Sequence, residues 1–147
     1  MLLLSEAEAR ERLARMTDAS LTVKPGGISL DLRNDPAGWD AVMRALGRKE
    51  ACRLLAERVR ANYLAQTGKS FPFTEPCVAY EIGYHINAYL WSIGYRGYPR
   101  HITTRFFSRT ALERHCATVE IDEESVRDFR QRVVFHYRKG YHRTEQR

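Results

Sequence analysis

The sequence predicts a single small α+β domain, and three features carry that expectation. LTVKPGGISLDL, Leu21 to Leu32, alternates apolar and polar residues on either side of a Pro25-Gly26-Gly27 turn, which reads as a hairpin with one wet face. Segments with apolar residues at helical spacing, each opened by a capping residue, surround it. The segment Pro76 to Tyr95 holds one formal charge, Glu81, in twenty residues and is apolar on two faces, the pattern of a helix buried through the middle of a domain. Together these give the order α-β-β-α-α-β-β-α, with short antiparallel strands packed on helices around a central apolar helix at about 76–95.

Each element has a local reason. SEAEARERLARM, residues 5–16, reads as a first helix with Ser5 at the N-cap and Glu8 three residues on, a capping box. After the hairpin, Asp35-Pro36 opens a helical region with aspartate at the cap and proline in the first turn. Trp39, Val42, Met43 and Leu46 form its apolar stripe. Past Gly47 the pattern resumes with Leu55, Val59 and Tyr63 and stops at Gly68. KSFPF is a loop, and Thr74 caps the central helix. Beyond that helix HITTRFF reads as a strand, SRTALERH as a turn of helix and CATVEI as an alternating strand. Asp122 caps a last helix, Glu123 to Lys139, with Val126, Phe129, Val133 and Tyr137 inward and Gly140 at its end. Residues 1–140 are the globular domain and 141–147 a basic tail.

A chain of 147 residues is long enough to bury a real core, and 44% hydrophobic with 29% charged residues is ordinary for a soluble domain. No low-complexity tract or internal repeat is visible. The opening MLLLSEAEAR is too short in its leucine run for a secretory signal, and no segment has the uninterrupted apolar length of a membrane span. Cys52, Cys77 and Cys116 are widely spaced and odd in number, so they read as reduced thiols of a cytoplasmic protein.

The charge is uneven. Residues 1–95 carry 12 basic and 11 acidic side chains, whereas residues 96–147 carry 12 basic and 7 acidic. The excess begins at RGYPRHITTRFFSR, Arg96 to Arg109, where four arginines and a histidine lie among three aromatics without an acid. Arginine's planar fork matches phosphate and aromatic rings stack on bases. Arg96, Arg100, His101, Arg105, Phe107 and Arg109, with Lys139 and Arg143, are therefore the expected nucleic-acid contacts, and Tyr98 and Phe106 are further aromatic candidates. On a strand from His101, Arg105 and Phe107 share one face, while Phe106 joins Ile102 in the core. The plainer alternative is the solvated lip of an arginine-rich fold.

The central helix has two stripes. Val78, Ile82, Ile86, Tyr89 and Ile93 form one; Tyr80, Tyr84, Trp91 and Tyr95 form the other, nearly opposite. The second stripe is either core or the docking face of a non-catalytic subunit, in contact with a protein partner or a second copy. Glu81 and His85, four residues apart in a helix otherwise free of charge, are expected to satisfy one another as a structural pair, with acid–base catalysis the weaker alternative. No histidine or cysteine spacing matches a zinc site, so no metal or cofactor is expected. There is also no phosphate-binding glycine loop and no serine elbow.

Two short stretches resemble known families. FRQRVVFHYRKGYH, residues 129–142, resembles the Arg-x4–6-His signature of HEPN ribonucleases, with Arg130 and His136 in the matching positions. That likeness implies an all-helical fold in which the pair cleaves RNA without metal at a dimer interface. INAYLWSIGYRGYP, residues 86–99, is similar to a helix-to-loop junction of corrinoid-dependent reductive dehalogenases, although the clustered cysteines that hold iron–sulfur centres there are absent. Nucleic-acid binding through residues 96–147 stands first, a subunit role second and an enzyme third.

Overall fold

The computed structural model describes residues 2–25, 27–98, 114, 116, 117 and 120–137. Its elements are α1 (Glu6–Ser20), β1 (Leu21–Lys24), β2 (Gly27–Asp31), a short 3-10 turn (Leu32–Asn34), α2 (Pro36–Leu46), α3 (Arg48–Thr67), α4 (Glu75–Ser92), α5 (Glu123–Arg132) and β3 (Val133–His136). The domain is α+β, a small sheet packed among helices.

The helix starts form where local chemistry places them. The Glu8 N–H donates to Ser5 Oγ at 3.1 Å and the Ser5 N–H to Glu8 Oε1 at 2.8 Å, so the capping box is complete. Helix α1 runs to Ser20, four residues past the expected end, because Thr17 is buried and returns its hydroxyl to the Leu13 carbonyl at 2.7 Å. Asp35 accepts from the Gly38 N–H, and Pro36 occupies the first turn of α2. Gly47, at φ 83°, separates α2 from α3, and Gly68, at φ 74°, ends α3 in the left-handed region that glycine enters without strain.

The sheet has the order β1-β2-β3. The hairpin pairs antiparallel with Leu21 opposite Leu30 and Val23 opposite Ile28. The second pairing corrects the sequence reading: β3 lies parallel to β2, with Ile28 opposite Val133 and Leu30 opposite Phe135. The expected helix Glu123–Lys139 therefore stops at Arg132. Val133, Phe135 and Tyr137 fit a helical stripe in part, but they also alternate. Two β-branched residues followed by an aromatic favour a pleated surface, and the open edge of β2 supplies the hydrogen-bonding partner. Gly27 allows this approach, since a Cβ there would overlap the Arg132 carbonyl. The expected strand CATVEI also fails at its start. Cys116 and Ala117 are helical, and the Ile121 N–H reaches back to the Cys116 carbonyl at 3.0 Å with Glu120 at φ 55°, a helix-ending turn. The expected strand HITTRFF, Gly140 and the tail 141–147 lie outside the described residues.

Helix α4 is central, as its composition requires. Val78, Ile82, Ile86, Tyr89 and Leu90 are buried, and each fully buried aliphatic side chain contributes about 1.5–3 kcal/mol. Ile93 departs from its stripe: it follows the helix end at Ser92 and is 44% exposed. Where α4 crosses α3, Gly83 brings the helices together, because a Cβ would sit 2.7 Å from Cys52 Sγ. The loop KSFPF contributes to the core as well. Phe71 and Phe73 are buried and pack edge to face with Phe129 of α5 at centroid distances of 6.4 and 5.2 Å.

Candidate nucleic-acid interface

Most cations of the described helices are neutralised by nearby acids. Arg12 forks onto Asp35, Arg58 onto Asp18, Arg53 onto Glu50 with a further bond to Glu57, and Arg44 holds Asp40. The Arg58 hydrogen bonds hold the Asp18 carboxyl below the usual carboxylate range. Arg60 donates instead to the Phe73 carbonyl at 3.0 Å, and two adjacent residues, Arg48 and Lys49, likewise lack an acid among the described residues. Arg48 donates to neutral oxygens, Asn87 Oδ1 at 2.8 Å and the Gly97 carbonyl at 3.3 Å, and its guanidinium lies 5.4 Å from the Tyr98 ring centroid. Among the described residues, neither Arg48 nor Lys49 has a carboxylate within ion-pair distance. Both occupy the first turn of α3, whose N-cap Gly47 supplies no capping side chain. Positive charge is disfavoured at that end of a helix. The first turns of α1, α4 and α5 carry acids without such cations, whereas the one acid in the first turn of α3, Glu50, is taken by Arg53 and Arg10.

Arg48 and Lys49 border a cleft of about 440 Å³ between α3 and α4, floored by Cys52, Ala79, Gly83, Tyr80 and Tyr84. The Tyr80 and Tyr84 rings lie 6.4 Å apart at 42°. Burial pushes the Cys52 thiol up to about 11, so this lining is neutral at physiological pH. The cleft adjoins the turn at Arg96–Tyr98. Arg96 is exposed, among the described residues it has no ion-pair partner, and its carbonyl accepts from Arg44 Nη2 at 3.0 Å.

Of the residues singled out in the basic third, Arg96 is thus placed beside Arg44 and Arg48. Arg100, His101, Arg105, Phe107, Arg109, Lys139 and Arg143 lie outside the described residues. Tyr98 is not a stacking surface. It is 7% exposed and donates its hydroxyl to Asp40 Oδ1 at 2.8 Å, and burial followed by that hydrogen bond raises its pKa. The aromatic stripe divides: Tyr84 is buried, Tyr80 and Tyr95 are half-buried and Trp91 is 39% exposed.

The buried polar residues of α4 take partners from the C-terminal elements, where the sequence reading paired them with each other. Glu81, wholly buried, receives Arg130 Nε at 3.1 Å on Oε1 and Nη2 at 3.4 Å on Oε2. His85 Nδ1 lies 3.0 Å from Tyr137 Oη, and its ring stacks on Phe135 at 4.0 Å and 15°. Arg130 therefore sits at the end of α5 on Glu81. His136 belongs to β3, in register with Asp31, so the two do not share the single helix that the ribonuclease resemblance implies. Cys77, beside Glu81 in the same helix, has its thiol pushed up to about 12, by burial first and the Glu81 charge second. Among the described residues no group of three His, Cys, Asp or Glu is arranged to hold a metal, and no helix is long and apolar enough to cross a membrane.

Compared with models of known protein families, with curated proteins and with solved structures, the chain matches none. Arg48 and Lys49 escaped the sequence reading, although a signal was present: two cations at the start of a helix, where acids belong.

Proposed function

We propose that this protein binds nucleic acid, with Lys49, Arg48 and Arg96 leading into the basic stretch that follows residue 95. The supporting observation is that, among the described residues, Arg48, Lys49 and Arg96 have no carboxylate within ion-pair distance, whereas most other described arginines do, and that Arg48 reaches the carbonyl of Gly97 beside Arg96. Cations without acids among the described residues, next to the turn where a +5 sequence excess begins, suit a polyanion. Phosphate contacts release counterions, so log K should fall steeply with log salt. Replacing Lys49 and Arg96 together by alanine should shallow the slope by about two charges' worth, and Arg100→Ala with Arg105→Ala should do the same. No salt-dependent binding of DNA or RNA at low ionic strength would end this reading.

A second reading rests on the far end of α4, where Trp91 is 39% exposed and Ile93, just past the helix end, 44%. Such residues suit a protein contact, with a partner subunit or a second copy. A solution mass above that of one chain, reduced by Trp91→Ala, would favour it.

A further inference from the structure

The α3/α4 cleft combines two chemistries. Its floor is apolar and aromatic, made by Cys52, Ala79, Tyr80 and Tyr84, and its mouth carries Arg48 and Lys49. Inorganic phosphate would gain from the cations and nothing from the floor. A neutral apolar molecule would gain from the floor and leave the cations idle. A base joined to a phosphodiester uses both: a flat, largely apolar face that stacks on tyrosine, and an anion within the same nucleotide. In a duplex that face is covered by the neighbouring base pair, whereas a single strand presents it. The volume, about 440 Å³, falls in the range of clefts that take small molecules.

Resting on the nucleic-acid reading above, we propose that this cleft seats one unstacked base of a single strand against the half-buried Tyr80, with the adjoining phosphate held by Lys49 and Arg48. The protein then prefers single strands to duplexes through this one pocket, and its remaining cations add affinity without that preference.

Fluorescence anisotropy tests this with a labelled strand of about 12 nucleotides, within the reach of one small binding domain, made as DNA and as RNA, and with the corresponding DNA duplex. Ala79→Leu fills the cleft from α4 and leaves every charge in place. It should weaken single-strand binding roughly tenfold, the worth of one stacked base, down to the duplex level, while duplex affinity and salt slope stay unchanged. Lys49→Glu should weaken both. Equal wild-type affinity for strand and duplex, with no effect of Ala79→Leu, overturns the pocket and leaves the general nucleic-acid reading standing. Absence of salt-dependent binding to any of these probes overturns both. Circular dichroism checks the variants' folding. Should Ala79→Leu fail that check, photo-crosslinking of a 5-iodouracil strand to the wild-type protein decides: adducts on the peptide bearing Tyr80 and Tyr84 are expected, and adducts solely elsewhere overturn the proposal.

Discussion

Arg130→Met removes the cation that faces Glu81 and keeps most of the side-chain volume. Among the described residues Arg130 is the sole hydrogen-bond donor to that carboxylate, whose exposure is 0%. The abandoned carboxylate is left in the core, and breaking a buried ion pair from one side costs about 3–5 kcal/mol, a large part of the stability of a domain this size. Urea unfolding at pH 7, followed by far-UV circular dichroism, measures it. Adding Glu81→Gln to Arg130→Met should recover at least half of the loss at pH 7, because no charge is left in the core. A single variant within ~1 kcal/mol of the parent at pH 7 would refute the assignment of Glu81 and Arg130 as a buried clamp between α4 and α5.

Other outcomes follow from the same packing. Gly83→Ala should cost about 1–3 kcal/mol by driving a Cβ toward Cys52 Sγ, and the cost should fall in a Cys52→Ala background, read as a double-mutant cycle by urea unfolding. Ile86→Ala should lose about 2–5 kcal/mol as a truncation in the most buried helix; a loss under ~1 kcal/mol would contradict the central place of α4. With burial raising the thiols of Cys52 and Cys77 to about 11 and about 12, labelling by a disulfide reagent at pH 7.5 should be roughly 100-fold slower in native than in urea-unfolded protein. Fast native labelling of Cys77 would show that its helix does not hold it buried.

What the sequence determined by itself is local. The capping box at Ser5, the Asp35-Pro36 start, the glycine breaks at 47 and 68 and the hairpin about Pro25 are each written in a few adjacent residues, and each occurs where those residues place it. The burial of α4 was equally legible, since a helix nearly free of charge cannot face water on every side. Partners across the chain were not legible. Val133 to Tyr137 satisfy a helical and an alternating pattern at once, and only the open edge of β2 selects the strand. Glu81 has a plausible partner one turn away, but the tertiary structure brings Arg130 to it from 49 residues further along. Phe71 and Phe73 look like loop residues until α5 supplies Phe129 as the surface they bury against. The significance of Arg48 and Lys49 is of the same kind. That they are cations is plain in the sequence, but that most neighbouring arginines have acids while these two have none among the described residues depends on which side chains the fold brings together. Local sequence governs backbone conformation through short-range sterics and hydrogen bonds, whereas charge pairing and stacking are decided by long-range proximity, which exists only once the chain has folded.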